Sequence, residues 1–145
     1  VQFPVDILTR SSLCVRDLDL FKQFKEIDVG FSIGTHDEKI KRIFEPHSPS
    51  IASRIEALRI LHQAGVSTYA FIGPMLPLDP RSLVAMLDGA VDEVLIDRMN
   101  YPNKVKAIYR REKLDSYLEE SYFHIFGTEL KKQFERKGIS VTMIL

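Results

Sequence analysis

Residues 29–65 read VGFSIGTHDEKIKRIFEPHSPSIASRIEALRILHQAG, and the fold turns on how this stretch is read. Its opening, Val29-Gly30-Phe31-Ser32-Ile33, is an apolar run with the length and residue types of a buried strand. Gly34-Thr35-His36-Asp37 breaks that pattern, and Ile40, Ile43 and Phe44 predict a short helix over Asp37–Phe44. Glu45-Pro46-His47-Ser48-Pro49-Ser50 cannot be helical throughout, because each proline drives its predecessor out of the helical region. Ser50 is a good N-cap, after which Ile51, Ile55, Leu58 and Leu61 recur at helical spacing until Gly65 closes the helix. The unit is therefore strand, polar connector, helix, with polar residues gathered where the strand ends. At that end of an α/β fold, helix N-termini and free backbone amides converge.

Working outward, Val5–Thr9, Thr68–Ile72, Glu93–Asp97 and Ser140–Ile144 also read as strands, which with Val29–Ile33 makes five. Helical patterns lie between them. Arg16–Lys25 has Leu18, Phe21 and Phe24 on one side, and Asp79–Leu87 has Pro80 in its first turn. Leu114–Lys137 reads as one long helix, interrupted near Gly127 and ended at Gly138. Strands alternating with helices predict parallel βαβ units, and right-handed crossovers put every strand's C-terminal end on one side. Asn100–Lys113 has a turn at Tyr101-Pro102-Asn103 and a basic cluster of Lys104, Lys106, Arg110, Arg111 and Lys113 around Tyr109. It reads either as a patch for phosphates or as a solvated helix face balanced by Glu112, Asp115, Glu119 and Glu120.

The length, 145 residues, suits one domain, and 45% hydrophobic residues suffice for a core. Twenty basic and 20 acidic residues leave no global field toward nucleic acid or membrane. No apolar run is long enough to span a bilayer and no signal peptide is visible. One cysteine, Cys14, excludes an internal disulfide framework, so a cytoplasmic protein is the default reading. Cys14 itself reads as a small buried hydrophobe at a helix start. The chain begins at Val1 without a methionine, which reads as a piece of a longer protein.

The order F-S-I-G-T-x-D-E (from Phe31), then F-E-P-x-x-P-S-x-x-x-R-I-E-A-L (from Phe44), resembles the middle of the radical S-adenosylmethionine enzymes of the spore photoproduct lyase type, many of them labelled DNA repair photolyases. Ile7-Leu8-Thr9-Arg10-Ser11-Ser12 followed by Arg16-Asp17-Leu18-Asp19-Leu20 is similar to that family's I-L-T-K-S and R-D-x-x-L. Phe71-Ile72-Gly73-Pro74-Met75-Leu76-Pro77 resembles its strand ending in a small, proline-rich turn. The likeness runs to about Asn100. It implies an α/β fold that is a partial (β/α) barrel with a parallel sheet of about five strands, the C-terminal part of such a barrel, its cluster-binding N-terminal part absent. It also implies S-adenosylmethionine as cofactor and a 4Fe-4S cluster whose three closely spaced cysteines this chain lacks. In the complete enzyme an adenosyl radical abstracts hydrogen from a substrate; this chain alone is expected to be inactive. The substrate is not readable, and a nucleic acid stays open. A partial barrel leaves Val5–Thr9 as an exposed edge, so self-association there is expected, with Ile7 facing the interior.

Polar residues at the strand C-terminal ends supply the candidate site. The resemblance implies cofactor binding by Arg10, Ser11, Ser32, Thr35, Arg54 and Gly73. Arg10 stands where the family has lysine; it keeps the charge and changes the geometry, and a salt bridge to Asp6 or Asp37 is the other reading. Ser32 is either a cofactor hydrogen bond or a small core residue. Arg54 lies in a first helical turn, where the dipole disfavours a cation, so it calls for an anionic partner, either a ligand or Glu45 or Glu56. His36, Asp37, Glu45 and His47 match no recognised metal spacing, and His62 and His124 read as structural, far from this rim. Two rival readings remain: another barrel enzyme, against which no strand ends in lysine, and a non-enzymatic α/β module binding a partner at its open edge.

Overall fold

A computed structural model describes residues 1–144. Its centre is one sheet of five strands, β1 (Val5–Thr9), β2 (Ile27–Ser32), β3 (Ser67–Ile72), β4 (Glu93–Asp97) and β5 (Ser140–Ile144). They lie in sequence order and every neighbouring pair is parallel, as the alternating pattern predicts. Val29 stands opposite Ile7 and Thr68, Phe31 opposite Ala70, and Ile72 opposite Ile96. Side chains alternate along a strand, so this register collects Val29, Phe31, Ala70, Ile72, Val94 and Ile96 on one face, all fully buried.

Helices cover that face. They are α1 (Leu18–Phe21), α2 (Glu38–Phe44), α3 (Ile51–Gln63), α4 (Pro80–Leu87), α5 (Pro102–Arg111) and α6 (Glu120–Arg136). Packed against the strands, α3, α4 and α6 contribute Leu58, Leu61, Leu83, Leu87, Leu130 and Phe134, each with no exposed surface. Local chemistry sets their starts: Ser50 Oγ accepts from the Ser53 amide and Asp79 Oδ2 from the Ser82 amide, satisfying donors that a first helical turn leaves free.

The structure departs from the sequence reading at three points. Arg16–Lys25 is not one helix but a 3₁₀ turn, Ser12–Asp17, running into the single turn α1, because Ser11 Oγ caps at Leu13 and only Phe21 is buried. The region 102–111 is a helix, in keeping with its reading as a solvated helix face, and it buries Tyr109. Leu114–Lys137 is divided near Glu119, into a 3₁₀ turn Asp115–Leu118 and α6, and α6 runs through Gly127 without interruption. A Cβ at Gly127 would lie 3.0 Å from Met143 Cε, so the glycine permits close approach of α6 to β5. Finally, Ile7 packs against the core beneath the helices, and it is Leu8 that lies on the opposite face, 49% exposed.

Candidate functional site

The strand C-terminal ends form one rim. Gly73–Leu78 folds across it: the Met75 amide donates to Asp97 O (2.9 Å) and the Leu76 amide to Gly34 O (3.0 Å). Tyr122 of α6 clamps the same loop, its hydroxyl donating to Leu76 O (2.8 Å) and accepting from the Leu78 amide (3.0 Å). Burial pushes the Tyr122 hydroxyl's ionisation well above the usual tyrosine range, so it stays a neutral donor.

At the β1–β2 side of the rim, Glu45 joins two arginines. Its Oε2 accepts from Arg54 Nη2 (2.7 Å) and from Ser48 Oγ (2.9 Å), while Oε1 accepts from Arg10 Nε (3.3 Å). Arg54 is 1% exposed. Its Nη1 donates to Ser32 O (2.8 Å), its Nε to Pro49 O (3.1 Å), and Nη2 also to Ser48 Oγ and Pro49 O. The anionic partner that its helix position called for is thus Glu45. Burial acts to raise the Glu45 carboxyl, but hydrogen bonds and charge from Arg54, with help from Ser48 and Arg10, hold it below the usual glutamate value. Arg10 pairs with Glu45 rather than with Asp6 or Asp37. Among the described residues its two terminal nitrogens have no hydrogen bond, and its side chain is 49% exposed.

Arg10 follows the last residue of β1, Thr9, which stands opposite Phe31, and Ser32 ends the neighbouring strand β2. Ser32 is 3% exposed, and its Oγ is buried without any hydrogen-bond partner. A buried hydroxyl without a partner is costly and uncommon. Ser11 stands at the same strand end, its Oγ occupied at the Leu13 amide. Thr35 is turned toward the crossing loop, donating from Oγ1 to Pro77 O (2.7 Å) and accepting from the Asp37 amide. Gly73 lies under the Phe71 ring, so closely that a Cβ there would collide with it. The structure thus ties Arg10 to Glu45, leaves Ser32 Oγ buried at the neighbouring strand end, commits Thr35 and Arg54 to internal bonds, and makes Gly73 a close-approach position.

A second concavity of about 380 Å³ opens on the rim beyond β4, lined by Met75, Arg98, Asn100, Tyr117, Phe123 and His124 among others. His124 is therefore at the rim, not far from it; only its position in the second turn of α6, whose start the sequence reading put too early, hid this. His62 lies at the other end of the molecule, its Nδ1 3.2 Å from Thr68 Oγ1. His36 Nδ1 accepts from the Asp79 amide. Among the described residues no three His, Cys, Asp or Glu side chains converge as a metal site. Cys14 is half-buried against the core, and burial together with Asp17 pushes its thiol up, away from the thiolate a metal needs. No helix among the described residues is long and apolar enough to cross a membrane. Along α5, Arg110 and Arg111 pair with Asp115 and Glu112, and Lys104 sits over the Tyr101 ring, so much of the basic cluster is locally engaged.

No protein-family profile matches the chain. An uncharacterized protein of Methanocaldococcus jannaschii is 31% identical over 153 residues, which span 94% of this chain and 58% of that protein. An uncharacterized protein of Acidianus two-tailed virus is 29% identical over 148 residues, spanning 91% of this chain and 49% of that one. Two solved structures of spore photoproduct lyase mutants share the fold. One superposes with a TM-score of 0.67 at 16% identity, covering 97% of this chain and 51% of its own. The other, with bound AdoMet and dinucleoside spore photoproduct, has a TM-score of 0.65 at 15% identity, covering 97% and 50%. The chain spans about half the length of the curated relatives and solved structures it matches. Its α/β architecture, five parallel strands with helices on one face, is the partial barrel-like fold of those structures.

Proposed function

We propose that this chain is the C-terminal part of a radical S-adenosylmethionine barrel and that its rim positions S-adenosylmethionine. One observation carries the reading: at the adjacent ends of β1 and β2, the buried Ser32 Oγ and the terminal nitrogens of Arg10 have no hydrogen-bond partner among the described residues. A ligand offering a carboxylate and further polar groups matches both. Arg10 binds the carboxylate through two charge-assisted hydrogen bonds, and Ser32 supplies a hydroxyl. Gly73 leaves the space of a Cβ to the Phe71 ring at the edge of the site, with Ser11 and Thr35 at the flanking strand ends. Arg54 acts from beneath, holding the Ser32 carbonyl and Glu45 in place. That one fold neighbour holds AdoMet supports this choice of ligand.

When bound, S-adenosylmethionine supplies radical chemistry through reductive cleavage at a 4Fe-4S cluster. The described residues do not fit such a cluster, since one hindered thiol cannot replace several converging ones. Its ligands are assigned to a segment preceding β1 in the complete protein. The substrate is proposed to be a nucleic acid, by analogy with the dinucleoside held by the same neighbour, with Lys106 and Lys113 of the basic region as phosphate contacts.

Calorimetry on the complete protein tests the reading. Arg10→Ala is expected to weaken S-adenosylmethionine binding by about 1.5–3 kcal/mol and Ser32→Ala by about 0.5–1.5 kcal/mol. Unchanged affinity in both removes the rim from the cofactor site. A C-x-x-x-C-x-x-C upstream in the complete coding sequence supports the domain assignment, and its absence removes it.

A further inference from the structure

Glu45 divides its two carboxylate oxygens between very different partners. Oε2 is tied down inside the protein, by Arg54 at 2.7 Å and Ser48 at 2.9 Å. Oε1 reaches the half-exposed Arg10 at its Nε alone. The contacts run as a chain from Ser32 O to Arg54, from Arg54 to Glu45 and from Glu45 to Arg10. A guanidinium is planar with a fixed fork of donors. Gripping it at Nε leaves one edge, the Nη1 and Nη2 pair, and fixes the plane in which that edge faces outward.

The local charge favours an anion on that edge. Two cations, Arg10 and Arg54, pair with the Glu45 carboxylate, and the buried Lys41 reaches the same connector. Lys41 Nζ donates to Ser48 O, a neutral acceptor. Glu38, at the start of α2, accepts from the Ile51 amide. The buried side of the cluster is saturated, and the open side is Arg10.

We infer that Glu45 is a positioning residue, which holds Arg10 at Nε so that the two terminal nitrogens meet the carboxylate of the ligand bound at the rim. The inference rests on the proposed cofactor reading and adds the residue that gives the arginine its orientation. Glu45 touches no ligand and acts only through Arg10, so its effect is confined to ligands that carry the carboxylate.

The test uses the complete protein and two probes, S-adenosylmethionine and decarboxylated S-adenosylmethionine, with affinities from calorimetry and folding checked by thermal melts. Arg10→Ala is expected to abolish the preference for the carboxylate-bearing probe. Glu45→Gln is expected to cut that preference about tenfold while leaving the decarboxylated probe's affinity unchanged, roughly the worth of one charge-assisted contact. Glu45→Asp keeps the buried charge beside Arg54, which protects folding, but is too short to hold both arginines, and is expected to cut the preference likewise. A wild-type preference in a folded Glu45 variant, with Arg10→Ala still abolishing it, overturns the positioning role and spares the cofactor reading. Equal loss for both probes in the Glu45 variants also overturns it, since that is a structural defect. Preference intact in Arg10→Ala overturns the cofactor reading itself.

Discussion

On one face of the sheet Val29, Phe31, Ala70, Ile72, Val94 and Ile96 have no exposed surface. On the other, Asp6, Leu8 and Asp28 are exposed, Glu93 and Leu95 half-buried, and Tyr69 is covered by its neighbours alone. These are alternate residues of the same strands. The covered face is apolar because three helices take it out of water. The open face economises on exposure by laying rings flat along itself. Tyr69 lies across Gly30, where a Cβ would strike the ring, and its hydroxyl donates to Asp6 Oδ1 at 2.6 Å, two strands away. Burial, then the bond and charge of Asp6, push the Tyr69 ionisation above the usual range, so this donor stays protonated. The difference teaches that one face supplies stability through its helices, while the other covers itself only locally, with the Tyr69 ring, and leaves Asp6, Leu8 and Asp28 in water.

The largest effects test the covered face and its buried ion pair. Phe31→Ala is expected to cost about 3–5 kcal/mol in urea unfolding, against well under about 1 kcal/mol for Leu8→Ala on the open face. Equal costs would mean that the open face is covered in solution. The same contrast holds for the arginines that share Glu45. Arg54→Ala takes from Glu45 its buried cationic partner and leaves the Ser32 carbonyl without its donor, and is expected to cost about 3–5 kcal/mol, whereas Arg10→Ala, half exposed, is expected to cost about 0–1 kcal/mol. Comparable losses would show that Arg10 is a fold residue and would weaken its assignment to a ligand.

Gly30→Ala probes the open face more gently. The new methyl displaces the Tyr69 ring and its bond to Asp6, and a loss of about 1–3 kcal/mol is expected, again by urea unfolding. No change would show that the ring has another resting place. Self-association sharpens the comparison at the edge. Among the described residues β1 pairs only with β2, and Leu8 is exposed beside the free edge. The 145-residue chain is expected to associate at micromolar concentration in sedimentation velocity, and Leu8→Lys to reduce this. A clean monomer with strong amide protection along Val5–Thr9 rules the association out.

The smallest effects are in pH. Glu45 has a folded value below its unfolded one, so its contribution is full above the ordinary glutamate range and fades as pH falls through that range and below it. Tyr109, buried with a partnerless hydroxyl, is pushed up to about 12 from 10.0. Its raised value means the contribution is full below pH 10.0 and is lost as pH rises toward 12. Melting temperatures are expected to decline at both ends, the alkaline decline reduced in Tyr109→Phe. An unaltered alkaline arm in that variant removes Tyr109 as its source.

Local signals in the amino-acid sequence determined the five strands, their parallel order and the starts of α3 and α4. Alternating apolar residues, Ser50 and Asp79 as caps, and the glycine after α3 each act within a few residues, so the chain carries them in linear form. The polar gathering at the strand ends was legible for the same reason, Arg10 and Ser32 included. Only the tertiary structure decided what those polar residues do. Arg10 and Glu45 are 35 residues apart, Arg54 and Ser32 22, and Tyr69 and Asp6 63. The sequence offered 100–113 as a solvated helix face, and only the tertiary structure shows Tyr109 of α5 buried against Phe44 of α2, with ring centroids at 4.7 Å. Which of two arginines is sealed inside and which is left half in water follows from how the connector folds back over β2. That choice is a balance of desolvation against pairing among residues distant in sequence, and it is made only when the sheet and its helices have come together.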